Sequence, residues 1–269
     1  MNLIRRALLV ATFAASIASM LDGCSTQPTI SSSDRASLAP TGSLRVGVYS
    51  GSPSSIVVDQ ATGDARGVGY DLGRALAQRL GVPFKPVVFS NNGLALAAVK
   101  NGDVDVVFTN ASPARARDMN FTPPFMDVEK SFLVVAGSPL TLLDDMKRPG
   151  LRVGVSDGSS TASELIIEYP TATLVATPTL KAAIAMLADG KLDAFATNDA
   201  ILYEMSDSLP GSRVLRGSWG MEHFAAGIPK GRDGLAVVTA FIEDAKRDGT
   251  VEKAVKRAGL RGSVPAKGS

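Results

Sequence analysis

One cysteine, one histidine and one tryptophan occur in 269 residues, and each scarcity removes a class of explanation. The lone Cys24 suits export to an oxidising compartment, where an unpaired buried thiol would be a liability. His223 has no Cys, His or carboxylate at ligand spacing in the sequence, so no metal site, cofactor or catalytic base is expected. Charge of one sign is also lacking. The chain carries 28 Lys and Arg against 26 Asp and Glu, a formal net charge of +2 without a basic block, so no nucleic-acid partner is expected. Beyond the first residues, no apolar run reaches the ~20 residues that cross a bilayer, and the body should be soluble.

What is there begins with an export signature. Arg5 and Arg6 precede an apolar stretch, Ala7 to Leu21, that is short and rich in Ala and Ser. It reads as a secretory signal and not as structure. It ends at Leu21-Asp-Gly-Cys24, which looks like a bacterial lipobox with Cys24 as the acylated residue, although Asp22 replaces the usual small residue. The alternative is a plain cleaved signal ending at Ala18 or Met20. Residues 25–42 are polar, with Ser, Thr and Pro prominent, and are expected to form a flexible tether.

From Leu44 short β-branched runs alternate with helical periods. Leu44–Tyr49 is a predicted strand, and Gly69–Leu80 a helix with Leu72, Leu76 and Leu80 on one stripe. A strand at 86–89, a helix at 94–100 and a strand at 104–108 complete a βαβαβ order, which implies parallel strands and right-handed crossovers. The order then restarts. Leu151-Arg-Val-Gly-Val155 repeats Leu44-Arg-Val-Gly-Val48 letter for letter, and Asp189-Gly-Lys-Leu-Asp193 stands where Asn101-Gly-Asp-Val-Asp105 stands in the first unit. A helix at 160–168, strands at 173–176 and 193–196 and a helix at 179–188 fill the second unit. A strand at 224–228 and helices at 235–247 and 251–258 follow; packed back on the first unit, they make the chain cross twice, which forms a hinge.

Over residues 43–260 the sequence resembles family 3 of the extracellular solute-binding proteins, the amino-acid-binding branch. The anchors are Gly42-Ser-Leu-Arg-Val-Gly-Val48, Gly67-Val-Gly-Tyr-Asp-Leu72, Gly102-Asp-Val-Asp105, Ser112-Pro-Ala-Arg115 with Phe121-Thr-Pro-Pro-Phe125, Gly158-Ser-Ser160, Gly190-Lys-Leu-Asp-Ala194 and Gly227-Ile-Pro-Lys-Gly231. The resemblance implies an α/β, two-lobed periplasmic-binding-protein fold of type II, with two mixed sheets flanked by helices and a double-crossover hinge. The expected division is 1–24 signal, 25–42 tether, 43–135 plus 223–262 lobe 1, 136–222 lobe 2 and 263–269 tail.

It also implies a ligand site. Arg115 stands six residues before Phe121, where the family's carboxylate-binding Arg stands, and a guanidinium offers two parallel donors to one carboxylate. Arg117 is expected on a solvated face. Asn110 and Ser112 match flanking ligand positions, with Asn110 in place of a hydroxyl residue. Ser159 and Ser160 open a helix after a strand, which fits either an anion seat or an ordinary Ser N-cap. Asn198 falls where the family places the Asp that meets the ligand ammonium, which would keep an acceptor and lose the charge; Asp199 is its neighbour or the acid of the next helix. Ser52 sits in the first-lobe loop Ser50–Ser55 where an aromatic is usual, so a polar ligand is expected. Trp219 suggests core or hinge packing.

These features describe an exported, monomeric binding protein in the periplasm or cell envelope, held to the membrane by a lipid and delivering a small amino-acid-like or carboxylate solute to the permease of an ABC importer. It is not expected to be an enzyme. The alternatives are a dehydratase-like enzyme on the same fold, with Glu129 or Glu222 as its acid, or a non-transport sensor or binding module.

Overall fold

A computed structural model describes residues 30–266. Cys24 and the signal segment 1–24 lie outside the described residues. The segment expected as tether is not wholly unstructured: α1 (Ser32–Leu38) is a helix, and Leu38 is fully buried. Leu38 fills the space beside Gly234, where a Cβ would fall 2.7 Å from its Cγ. A single apolar contact of this kind is invisible to a reading based on composition.

The first half runs β1 (Leu44–Tyr49), the short hairpin β2 (Val57–Val58) and β3 (Ala65–Arg66), α2 (Val68–Leu80), β4 (Phe84–Phe89), α3 (Asn92–Asn101), β5 (Val106–Asn110) and β6 (Met119–Phe121). Leu72, Leu76 and Leu80 are all fully buried, as their spacing predicts. Next come β7 (Met126–Val134), β8 (Arg152–Ser156), α4 (Thr161–Glu168), β9 (Thr173–Thr177), α5 (Leu180–Ala188), β10 (Ala194–Asn198), α6 (Asp199–Asp207) and β11 (Arg213–Val214). The chain closes with β12 (Gly220–Pro229), α7 (Leu235–Arg247), α8 (Thr250–Ala258) and β13 (Ser263–Pro265). Helices α7 and α8 pack on α2, and α7 also packs on β12.

The hydrogen-bonded order is β4-β1-β5-β12-β7-β10-β8-β9. Parallel strands lie at both ends, and the two long antiparallel strands β7 and β12 cross between them. The two expected sheets are thereby stitched into one curled path, the arrangement of the two-lobed type II fold. Asp127, Glu129 and Lys130 interrupt the apolar alternation of β7, which hides this strand from pattern reading.

The repeated letters have matching roles. The backbone N–H and Nε of Arg45 donate to Asp105 Oδ2, and Nη2 donates to Oδ1; Arg152 makes the same three bonds to Asp193. The glycine two residues on is required in both units by close approach. A Cβ on Gly47 would lie 2.9 Å from Val107, and one on Gly154 would lie 2.6 Å from Leu192 and 2.8 Å from Phe195.

Candidate ligand-binding cleft

Strand ends and helix starts converge where the two parallel groups of strands face each other. Tyr49 ends β1, Asn110 ends β5 and Asn198 ends β10, while Glu222 lies on crossing strand β12. Together with Arg115 and Ser159 they line one cavity. Its interior space is about 30 Å³, room for a water-sized group or two.

Arg115 opens a short 3-10 turn, Arg115–Arg117, whose first N–H meets Ser112 Oγ at 3.4 Å. The Arg115 side chain folds back over β5, with Nη1 donating to Thr109 Oγ1 at 3.0 Å and to the Asn110 carbonyl at 2.9 Å. Both acceptors are neutral, and among the described residues Arg115 forms no ion pair. Burial lowers its pKa, against the opposing pull of the Glu222 carboxylate and Tyr49. Arg117 is exposed, and among the described residues its side chain donates to the Ala114 carbonyl alone.

Asn110 is a junction. Its side-chain oxygen accepts from the His223 backbone at 2.9 Å, and its amide nitrogen reaches Ser160 Oγ at 3.5 Å. Ser160 makes no side-chain cap on α4. Ser159 Oγ is buried without a hydrogen-bond partner among the described residues. A second cavity of about 330 Å³ adjoins, lined by Ser112, Arg115, Ser159 and Ser160 among others. Across the cleft, the start of α3 meets the loop before α4 backbone to backbone: a Cβ on Gly158, which has φ +69°, would lie 2.7 Å from Gly93 Cα. Beside this contact Asn91 caps α3 and donates to the Pro178 carbonyl at 3.2 Å.

Three expectations need correction. Ser52 does not line the main cavity: it is fully buried, bonding Ser54 Oγ at 2.8 Å and receiving the Tyr49 hydroxyl at 3.3 Å. The serine loop folds inward because its hydroxyls satisfy one another and the Tyr49 backbone. The aromatic wall missing from that loop is supplied by Tyr49, one residue before it, whose phenol burial pushes up. Of the two places expected for Asp199 the structure gives the second, the acid in the first turn of α6; it does not line the main cavity and packs against Gly262, whose added Cβ would lie 2.5 Å from Asp199 Cβ. Its Oδ1 is unpartnered, and burial, reinforced by Glu129, pushes the carboxyl up to about 7. Asn198 reaches the cavity, but its Oδ1 is held by the α6 cap, accepting from Ile201 N–H at 3.2 Å, and its amide nitrogen is turned toward Glu222.

Two further residues acquire partners through the sheet. His223 and Asp127 are opposed on β12 and β7, with Nδ1 and Oδ1 2.8 Å apart. Trp219 packs with Phe132 and Tyr169, its Nε1 donates to the Ser131 carbonyl, and Lys130 lies over its ring, 4.5 Å from the centroid, while pairing with Glu164. Glu222, buried and inside the cavity, is the residue that motif reasoning leaves unassigned; its even offset from Phe224 on one strand is the signal that could have placed it on the same face.

The sequence profile of the Bacterial extracellular solute-binding proteins, family 3, matches residues 44–259. The "ABC transporter glutamine-binding protein GlnH" of Bacillus subtilis (strain 168) is 22% identical over 202 residues, covering 73% of this chain and 74% of its own. The "Amino-acid-binding protein AabA" of Dichelobacter nodosus is 23% identical, with 72% and 79% covered. Among solved structures, the solute receptor for L-cysteine of Neisseria gonorrhoeae is similar with a TM-score of 0.73 and 25% identity, covering 83% of this chain and 92% of that one. An ancestral amino acid-binding protein described as a precursor of cyclohexadienyl dehydratase is similar with a TM-score of 0.70 and 24% identity, covering 81% and 95%.

Proposed function

The chain belongs to the bacterial extracellular solute-binding proteins, family 3, and from that premise we propose that it captures a small amino-acid-like solute between its lobes and delivers it to an ABC importer. The observation that carries this reading is Arg115, a guanidinium lining a nearly closed cavity with two neutral acceptors on Nη1 and no ion-pair partner among the described residues. A ligand carboxylate supplies the missing anion and takes the remaining donors bidentately. Ser159, on the facing wall with an unpartnered hydroxyl, completes the contacts when the lobes close, so the ligand favours the closed form. The lobes are assigned as 43–135 plus 223–262 and 136–222, acting as a monomer.

A thermal-shift screen of amino acids and small carboxylates, followed by calorimetry of the hits, tests the reading, because a ligand bound only by the native state raises the melting point. A complete panel without hits would remove it. A dehydratase-like enzyme is the second reading, favoured by Glu222 in the cleft and by the ancestral relative; product formed from a prephenate-like acid would establish it. Anchoring through Cys24 rests on Leu21-Asp-Gly-Cys24, and mass spectrometry of the mature N-terminus decides it: an unmodified start elsewhere means a freely diffusing protein.

A further inference from the structure

The cavity holds a second charge that has no ion-pair partner in contact, although the Arg115 and Lys130 cations act on it from a distance. Glu222 is 6% exposed, and among the described residues its carboxylate makes one hydrogen bond, from Asn198 Nδ2 to Oε2 at 2.7 Å, and no ion pair. The cations nearby are engaged elsewhere, Arg115 on Thr109 and Asn110, and Lys130 on Glu164 and the Trp219 ring. A carboxylate taken out of water with one neutral partner is costly, and a cation placed against it recovers that cost.

Asn198 fixes this arrangement. Its oxygen is committed to the first turn of α6, which leaves the amide nitrogen turned toward Glu222. Asn198 turns its amide donors toward Glu222 and carries no charge to match a ligand ammonium. It can hold an acceptor that does. Resting on the reading that an amino-acid-like solute occupies this cleft, we propose that Glu222, positioned by Asn198, receives the ligand's cationic nitrogen, and that the ligand is therefore a zwitterion held between Arg115 and Glu222. Tyr49 lines the same cavity and presents a ring that a cation also favours. Glu222 lies on crossing strand β12, so the cation is bound at the hinge and not on one lobe alone.

The test uses the full chain and the twenty L-amino acids as probes, with each hit titrated beside its 2-hydroxy analogue, which keeps the carboxylate and side chain and loses the ammonium. Wild type should prefer the amino acid by about 30-fold or more. Glu222→Gln, which keeps an acceptor for Asn198, should lose most of that preference, with the amino acid weakened far more than the hydroxy acid. Asn198→Ala should lose part of it, with a melting point taken alongside to separate the lost helix cap. Equal wild-type affinity for the two analogues, or an undiminished preference in Glu222→Gln, overturns the proposal while leaving the carboxylate clamp standing. Failure of every amino acid and hydroxy acid to bind overturns the reading beneath it as well.

Discussion

Arg45 grips Asp105 through its backbone N–H, Nε and Nη2, and the same three bonds recur between Arg152 and Asp193 in the second repeat. The bonds match but their surroundings do not. The Asp105 side chain is 0% exposed and also pairs with Arg232 at 2.6 Å, whereas that of Asp193 is 31% exposed and has Arg152 alone. Asp105→Ala should cost about 3–5 kcal/mol, because it leaves two half-buried guanidinium groups unpaired. Asp193→Ala should cost about 1 kcal/mol or less. Urea denaturation of both variants checks the ratio, and equal losses would show that burial does not govern it.

Arg115→Ala should weaken binding of a screened amino acid by roughly 2–5 kcal/mol, the cost of stranding a buried carboxylate. Arg115→Lys should not restore it, since an ammonium lacks the two-pronged geometry. Arg117→Ala, on the exposed face, should bind as wild type does. Calorimetry on the three variants measures this. Wild-type affinity in Arg115→Ala would remove the clamp.

Asp199 predicts a pH dependence of stability. Its folded-state pKa of about 7 lies above the ordinary carboxyl value of 3.8, so the native chain holds a proton that the unfolded chain has released. Stability from this group is therefore present below about 4, falls as pH rises to about 7 and is flat above that. Asp199→Asn should flatten the slope and raise stability at pH 8 by on the order of 1–4 kcal/mol. Unfolding at pH 5 and pH 8 reads the difference. Ligand affinity should stay the same, since Asp199 does not line the main cavity.

Gly93→Val should separate binding from folding. Its Cβ would stand 3.2 Å from Gly158 Cα, and the two methyl groups beyond it have no room while the cleft is shut. The unfolding free energy should stay within about 0.5 kcal/mol of wild type, as for most surface changes. Affinity should fall about tenfold or more, because the closed state alone is penalised. Calorimetry measures the affinity and small-angle scattering the ligand-induced compaction; undiminished compaction would mean the loops yield.

The fold was legible because its signals are periodic. The leucine stripe of α2 and the repeated Leu-Arg-Val-Gly-Val read directly as a buried helix face and two equivalent strands. The cleft was legible where one residue type matched one task, which placed Arg115, Asn110, Ser159 and Asn198 along it. What escaped depends on orientation. Asn198 and Asp199 are adjacent, yet one faces the cavity and the other Gly262, because a strand becomes a helix between them. Ser52 left its expected place and Tyr49 lines the cavity instead, because hydroxyl-to-hydroxyl bonding within the loop has no sequence period. Glu222 was named only as one of two candidate acids, and its pairing with Asn198 was hidden because the two lie 24 positions apart.

The Gly93 to Gly158 contact has a mechanical meaning as well. Two backbones that touch without side chains form an end-stop, set by covalent geometry and unable to yield by changing rotamer. If the chain carries a solute between its lobes as proposed, any cargo that lets them reach this stop would produce the same closed outline, whatever its own size. A transporter docking on that outline would read whether the carrier is loaded and not what it carries.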